Sequence, residues 1–247
     1  YFQGAADVFA LVRFFKGYQS IFPGLGEVLY NGSKLAYHGH SQGGGNGPLL
    51  MPFEPDLELV VLSGTGGGTV EGVLGKELPY NTSVGIQLML HEIKLDMTHP
   101  ALYLLQHYFD PIDPGAYGPL LDDPPSGRGV HLLHVYGAND SFTPPTSMGI
   151  YAAMANTDLI VPDSIPSWFD DLDHLSVNTE TAPLSLNRTV NGVDYSRITI
   201  QHDNSVANSV TDSAYDGHFV IYRDIDANAR FATFISTWLA TGVPELR

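Results

Sequence analysis

Short apolar runs alternate with helical patterns along most of this chain, and that alternation limits the possible folds more than any other feature. The strand-like runs are residues 34–37, 57–62 and 130–136, and the clearest helical patterns are residues 47–53, 146–155 and 227–241. Strands separated by helices at this spacing form parallel sheets, with the helices packed against the sheet. We therefore predict an α/β fold with a mostly parallel sheet and helices on both faces.

The remaining segments complete this outline. Residues 8–18 show helical spacing of apolar side chains, while residues 188–201 predict a hairpin around Asn191-Gly192 whose second arm, 195–202, is a candidate sheet strand. Residues 70–121 consist of helical pieces interrupted by five prolines. We predict that this stretch is a helical, lid-like insertion that covers the sheet edge or the active site.

Length and charge restrict the domain count and the partners. At 247 residues the chain fits one domain, and its net charge of −16 disfavours nucleic acid and anionic lipid as partners. Without cysteine, any covalent catalysis needs another nucleophile, and no apolar run reaches the roughly 18–20 residues of a membrane helix. Tyr1-Phe2-Gln3-Gly4 matches the end of a recognition site used to remove purification tags, so the predicted catalytic domain covers residues 5–247.

A glycine-flanked serine lies where a strand meets a helix. Gly39-His40-Ser41-Gln42-Gly43 fits the pattern G-x-S-x-G, in which a sharp turn exposes the serine hydroxyl above the sheet. The same turn places the backbone N–H of Gln42 at a helix N-terminus, where it could stabilise an oxyanion. The alternative is a glycine-rich turn with an incidental serine. We predict that Ser41 is a nucleophile and that Gln42 contributes to an oxyanion hole.

A serine nucleophile needs a base and an orienting carboxylate, and both follow along the chain. Asp140 lies in the loop after the strand at 130–136, where ligand-facing groups collect in open α/β sheets, although it could also cap the next helix. His218 lies in Asp216-Gly217-His218-Phe219, just before the last helix. The order serine, aspartate, histidine is the one found in α/β-hydrolases. We predict the catalytic triad Ser41, Asp140 and His218.

Two alternatives for the histidines remain open. His202 is the main rival of His218 for the role of base. His38 and His40 alternate along a strand, so their rings would lie on one face and could begin a metal site, but no third ligand is evident. The triad chemistry requires neither a metal nor an organic cofactor, so we expect none.

These motifs resemble the C-terminal part of an α/β-hydrolase of the esterase and lipase kind, from about Ala5 to Leu246. The resemblance rests on residues 37–44, on the acid loop at 137–144 and on the histidine loop at 216–219. More loosely, residues 62–68, His99-Pro100 and residues 110–114 resemble large exported bacterial hydrolases described as lipases. The resemblance implies a hydrolase of carboxylic esters; the sequence itself sets no compartment, although an exported bacterial protein would fit.

The chain departs from that family before the serine. Family members place several strands ahead of this motif and take a second oxyanion donor from a loop near the third strand, whereas residues 5–40 predict one helix and no strand before Lys34. Loss of one such donor lowers turnover by roughly 10²–10³. A complementing chain or a homo-oligomer could supply the missing strands. The alternative function is therefore a non-catalytic or partner-completed binding or assembly module with a hydrolase fold.

Overall fold

The computed structural model describes residues 1–17, 32–92, 95, 98–161 and 177–247, together with the backbone of residues 19–22 and 26–29. Its main sheet has six strands in the order β3-β4-β5-β10-β6-β7, and every pairing between neighbours is parallel. These strands are β3 (Leu35–His40), β4 (Leu57–Ser63), β5 (His131–Gly137), β6 (Asp158–Ile160), β7 (Asn178–Glu180) and β10 (Arg197–His202). The predicted mostly parallel sheet is confirmed.

Successive residues of the central strands face opposite sides of the sheet, and both sides are buried. On one side, Leu59 and Val61 pack with Phe234 and Trp238 of the last helix. On the other side, Val60 and Leu62 belong to a second cluster, together with residues of the helices that flank the sheet there. The helices are α1 (Phe2–Gly17), α2 (Gln42–Leu50), α7 (Pro145–Met154), α8 (Val220–Arg223) and α9 (Ile225–Thr241). Helices therefore cover both faces, as predicted.

The segment between β4 and β5 is helical. It contains α3 (Thr69–Gly75), α4 (Thr82–Leu90), α5 (Pro100–Phe109) and α6 (Pro114–Tyr117), with 3₁₀ turns at Asp110–Ile112 and Gly118–Leu121. The Asp113 carboxylate accepts the N–H groups of Gly68 at 3.0 Å, Thr69 at 2.6 Å and Gly115 at 2.8 Å. Because Gly68 and Thr69 follow the end of β4, this carboxylate ties the helical segment to the sheet.

The N-terminal part of the structure corrects the prediction from sequence. Helix α1 begins at Phe2 rather than near Val8, and the expectation of no strand before Lys34 is wrong. Strands β1 (Gln19–Phe22) and β2 (Gly26–Leu29) pair antiparallel with each other as a separate two-stranded sheet. Among the described residues they do not join the main sheet, where β3 pairs with β4 alone. The edge beyond β3 therefore remains open in the described part of the chain.

The C-terminal third also differs from the prediction. The hairpin consists of β8 (Arg188–Val190) and β9 (Val193–Tyr195), and the sheet strand β10 starts only after it. The short strands β6 and β7 were not predicted. They were missed because three residues are too few for a periodic pattern, and because 158–160 precede a segment rich in proline and aspartate. Part of that segment, residues 162–176, lies outside the described residues.

One histidine of β5 is completely enclosed. His134 lies between the rings of Tyr136 and Tyr151, with Nε2 2.9 Å from the Thr65 carbonyl oxygen and Nδ1 3.3 Å from Thr199 Oγ1. Burial lowers the pKa of His134 to about 4, against the opposing effect of the hydrogen bond to Thr65. The ring is therefore neutral in the folded protein at neutral pH.

This depressed pKa predicts a loss of stability in mild acid. In the unfolded chain His134 binds a proton near pH 6.5, whereas burial lowers the pKa of the folded residue to about 4. The free energy of unfolding is therefore unaffected by His134 above pH 6.5 and decreases as the pH falls from 6.5 towards 4. Each pKa unit corresponds to about 1.4 kcal/mol. We expect the free energy of unfolding to fall between pH 7 and pH 5, with about 2 kcal/mol of the fall abolished in His134→Gln.

Urea unfolding at the two pH values measures this difference. His107→Gln is the matched control, because the His107 side chain is 88% exposed, and its loss of stability should equal that of the unsubstituted chain. An equal loss in His134→Gln would show that another group causes the acid sensitivity.

Candidate active site

Ser41 occupies a strained turn between β3 and α2. Its backbone angles are φ 55° and ψ −120°, a positive φ that costs a residue with a side chain about 1–3 kcal/mol. Two hydrogen bonds hold the turn: Ser41 N–H donates to the Ser63 carbonyl at 2.8 Å, and Gly45 N–H donates to the Ser41 carbonyl at 3.0 Å. Strain at a serine between a strand and a helix is the geometry that the G-x-S-x-G pattern predicts.

The two glycines of the pattern have different roles. A Cβ on Gly39 would lie 2.6 Å from the Gly43 carbonyl oxygen and 2.7 Å from the Tyr37 ring, whereas a Cβ on Gly43 would have the Tyr37 hydroxyl as its nearest neighbour, at 3.9 Å. A side chain would therefore collide with its surroundings at Gly39 but not at Gly43. The close packing of α2 falls on Gly44 instead, where a Cβ would lie 2.0 Å from Thr65 Oγ1.

Alanine at these two positions should have opposite effects on stability. Gly39→Ala pushes a methyl group into backbone that cannot move freely, so we expect a loss of about 1–3 kcal/mol. Gly43→Ala lies within α2 with free space around it, so we expect no loss and a gain of up to about 1 kcal/mol. Chemical denaturation of the two variants checks this, and equal destabilisation by both would contradict the described turn.

Asp140 and His218 form a buried pair. His218 Nδ1 lies 2.8 Å from Asp140 Oδ2, and the two residues are 3% and 5% exposed. The other carboxylate oxygen, Oδ1, accepts the N–H groups of Phe142 at 2.8 Å and Thr143 at 2.7 Å. Helix α7 begins at Pro145, beyond this turn. Asp140 therefore fixes its own loop and one nitrogen of the His218 ring, rather than capping α7.

Aromatic rings and a glycine determine where the His218 imidazole lies. Phe142 stacks on it at a centroid distance of 4.7 Å and an angle of 24°, and the His40 ring lies 4.7 Å away on a tilted plane. A Cβ on Gly64 would lie 3.0 Å from the imidazole. Gly64 follows Ser63, the hydrogen-bond partner of Ser41 N–H, and His40 precedes Ser41 in the chain. The His218 ring is thus packed against His40, which precedes the serine, and against Gly64, which follows the hydrogen-bond partner of the serine.

The Ser41 hydroxyl makes no hydrogen bond to His218 among the described residues. The structure brings Asp140 and His218 into contact and places their pair beside the serine turn. Hydrogen bonds between nucleophile and base are often long or poorly aligned without substrate, so this conformation does not exclude the predicted role.

Asp216 connects the acid loop to the histidine loop, a role the sequence reasoning missed. Its Oδ1 accepts the N–H of His218 at 2.8 Å and of Ser141 at 3.3 Å, and its Oδ2 accepts the Ser141 hydroxyl at 2.6 Å. Between them, Gly217 N–H donates to the Asn139 carbonyl at 3.0 Å, and a Cβ on Gly217 would lie 2.8 Å from that backbone. The tripeptide Asp216-Gly217-His218 was the available signal, because aspartate two residues before the base can cap its backbone.

A cavity of about 410 Å³ opens beside Ser41. Gln42 and the glycine run after β4 line it near the serine, α3 lines it on the side of the helical segment, and residues 142–144 line it on the side of the acid loop. Its volume is within the usual range for small-molecule sites. Gln42 is the first residue of α2, so its N–H has no carbonyl four residues earlier within the helix.

The rival histidine has a different partner. His202 Nδ1 lies 3.4 Å from Asp224 Oδ1, in a separate cavity at the start of α9. Asp224 also caps α9 through Ala227 N–H. Burial raises the pKa of Asp224, but hydrogen bonds from His202, Ala227 and Tyr215 outweigh it and lower the pKa to about 2. His202 is therefore engaged away from Asp140.

His38 and His40 share one face of β3, as predicted, but they contact aromatic rings. The Tyr222 ring lies 6.0 Å from His38 and 5.0 Å from His40. Burial lowers the pKa of both, and for His40 the nearby His218 and His38 lower it further, to about 4. Within the residues that the structure describes, no group of three or more histidine, aspartate or glutamate side chains could hold a metal ion.

Comparison with known proteins assigns this chain to no family. No family model and no curated protein matches the chain. Among solved structures, acetyl xylan esterase 1 from Thermoanaerobacterium sp. JW/SL YS485 aligns with 69% of this chain at 16% identity and a TM-score of 0.35. BpoC from Mycobacterium tuberculosis H37Rv, provisionally described as a non-heme bromoperoxidase, aligns with 61% at 19% identity and a TM-score of 0.30.

The chain spans less than two thirds of either structure, 39% of the esterase and 60% of BpoC. These TM-scores are too low to assign a fold, so the fold class rests on the geometry of the chain itself. The parallel sheet with helices on both faces, and the strained serine between a strand and a helix, agree with the predicted α/β-hydrolase type of fold. That predicted fold class is confirmed. No helix in the described ranges is long and apolar enough to cross a membrane.

Proposed function

We propose that this protein is a serine hydrolase that cleaves carboxylic esters through an acyl-enzyme on Ser41. The observation that carries the proposal is the buried hydrogen bond between His218 Nδ1 and Asp140, with the imidazole packed against His40 and Gly64 beside the serine turn. A carboxylate on Nδ1 fixes the tautomer whose Nε2 is free to accept a proton. This is the arrangement that a serine hydroxyl needs to become a nucleophile.

The proposed reaction has two balanced halves. Ser41 Oγ attacks the ester carbonyl carbon while His218 Nε2 takes the hydroxyl proton, and the same proton then goes to the departing alcohol. Water next adds to the acyl-enzyme and gives its proton to His218, which returns it to Ser41 Oγ as the carboxylic acid leaves. The Gln42 N–H donates to the oxyanion in both halves. No cofactor enters either half.

An ester fits the site better than an amide. Amide nitrogen is a poorer leaving group, and nothing around the cavity indicates a pocket for a peptide side chain. Glycine occupies several positions in the cavity wall, and threonine and serine contribute hydroxyl groups. The volume of about 410 Å³ suits a small ester. The α3 wall of the cavity gives the helical segment between β4 and β5 its proposed role as a lid or acyl-binding wall.

The open edge of β3 supports a second candidate function. In the described residues the strand that leads to Ser41 has a partner on one side only, and no second oxyanion donor is evident there. An edge strand with free backbone groups recruits other strands. The alternative is therefore a binding or assembly module, or a hydrolase completed by another chain or by a second copy of itself.

A fluorophosphonate probe with a reporter group tests the nucleophile. We expect it to label the intact chain at Ser41, and we expect Ser41→Ala to abolish labelling and to reduce hydrolysis of 4-nitrophenyl acetate at least about 10³-fold. Mass spectrometry of the labelled peptide locates the adduct.

Ser63→Ala is the control, because Ser63 is the last residue of β4, at the same edge of the sheet as Ser41, and is buried. The Ser63→Ala variant should still be labelled at Ser41. Labelling at a residue other than Ser41 would refute the assignment, and an inert chain that elutes as an oligomer in size-exclusion chromatography would favour the module.

Asp216 should affect turnover more than binding. Asp216→Ala removes the acceptor of two hydrogen bonds from Ser141 and of one from the His218 N–H. The imidazole then loses its alignment, while none of these three residues lines the cavity. We expect kcat for 4-nitrophenyl acetate to fall about 10–100-fold, with KM changed less than about twofold.

Asp212→Ala is the matched control, because Asp212 is exposed and its substitution removes the same charge from the same loop region. It should leave both constants unchanged. A rise in KM alone in Asp216→Ala would show that this carboxylate shapes the cavity rather than the base.

A further inference from the structure

The cavity beside Ser41 contains a single formal side-chain charge. Seventeen residues line it, and Lys76 is the one among them whose side chain is charged at neutral pH. The others contribute hydroxyl groups, an amide, glycines and apolar or aromatic groups. This positive charge stands out in a chain with 27 acidic and 11 basic residues.

The backbone fixes where Lys76 lies relative to the acid loop. The N–H groups of Glu77 and Leu78 both donate to the Ser141 carbonyl oxygen, each at 2.9 Å. The preceding residue, Gly75, packs so closely on Pro144 that a Cβ would lie 2.6 Å from its ring. Since Ser141 follows Asp140 directly, the same loop that orients His218 also positions Lys76 at the cavity.

The Lys76 ammonium has no carboxylate partner within the part of the chain that the structure describes. The side chain is half-buried, and among the described residues it forms no ion pair. By contrast, Lys16 Nζ lies 2.5 Å from an Asp56 carboxylate oxygen, and Lys34 Nζ donates to the Leu239 carbonyl at 2.8 Å. A partly desolvated ammonium without a partner gains most from an anion placed in the cavity.

The charge of the whole chain works in the opposite direction. A net charge of −16 repels anionic molecules at long range, so the average surface field gives no preference for them. A preference for an anionic substrate would therefore have to come from a short-range contact. Lys76 is the lining side chain that can make such a contact with a positive charge.

We propose that Lys76 forms a subsite for a negatively charged group, so that the preferred substrates are esters that carry a carboxylate apart from the scissile bond. This inference rests on the proposed ester hydrolysis at Ser41. The carboxylate belongs to the acyl group or to the alcohol, and the test covers both.

Two pairs of nearly isosteric substrates test the proposal. For the alcohol side, 4-acetoxybenzoate is compared with 4-acetoxybenzamide; for the acyl side, the mono-4-nitrophenyl ester of terephthalic acid is compared with its 4-carbamoyl analogue. Their para geometry prevents the carboxylate from attacking its own ester. The measured quantity is the ratio of kcat/KM for the anionic ester to kcat/KM for the neutral one.

We expect this ratio to exceed 1 in at least one pair, to fall about 3–10-fold in Lys76→Met and to fall further in Lys76→Glu. Salt screens the Lys76 contact as well as the long-range repulsion by the net charge, so raising the salt concentration should lower the ratio of the unsubstituted chain relative to the ratio of Lys76→Met. Lys34→Met removes the same charge away from the cavity and should keep the original ratio.

Tyr1 also lines the cavity, and residues 1–4 match the end of a recognition site used to remove purification tags, so every ratio is measured again on a chain that begins at Ala5. A ratio of 1 or less in both pairs, or one that Lys76→Met does not change, overturns the subsite while neutral esters are still hydrolysed. A preference that disappears in the shorter chain overturns it as well. If the unsubstituted chain cleaves none of the four esters and Ser41 resists the fluorophosphonate, the proposed function itself fails.

Discussion

Four parallel strands end at the same edge of the sheet, and the arrangement of the candidate site depends on this. Ser41 follows β3, Gly64 follows β4, Asp140 lies three residues beyond β5, and the loop that carries His218 comes after β10. Parallel pairing brings these carboxyl ends together, although the residues are far apart in the chain. The hydrophobic clusters on both faces hold the strands in register, and a shift by one residue would turn each strand end to the opposite face.

Within that frame, short polar contacts determine the orientation of the imidazole. Asp140 holds Nδ1 of His218, and Asp216 holds the backbone N–H of the same residue. Because Ser141 bonds to Asp216 and its carbonyl accepts N–H groups from the segment after Lys76, the loop at residues 139–143 positions both His218 and one cavity wall. A substitution in residues 139–143 would therefore alter several parts of the site at once, and its effects on activity would not be additive with those of its partners.

The sequence predicted the features that repeat or that follow a sharp local rule. The apolar runs at 57–62 and 130–136 predicted central strands of the sheet. The G-x-S-x-G pattern predicted a sharp turn at Ser41, which has a strained backbone in the structure. The sequence did not reveal the short strands β6 and β7, which are stabilised by pairing with neighbours rather than by their own pattern. Nor did it reveal that Asp216 bonds to Ser141, since such a contact arises only when two distant loops meet. Gly43 followed the pattern without a steric reason, because the close approach of α2 to β4 falls on Gly44.

The open edge of β3 affects the site through the strained turn. Ser41 N–H bonds to the Ser63 carbonyl, so among the described residues β4 alone holds the turn in its positive-φ conformation from the side of the sheet. A strand has hydrogen-bonding groups on both edges, and the outer edge of β3 presents groups that another strand could pair with. Pairing there would restrain β3, and with it Ser41 and the N–H of Gln42, from the second side. A complementing strand would then act on the Gln42 N–H and on the Ser41 hydroxyl, while the contact between Asp140 and His218, which lies beyond β4, would stay as it is.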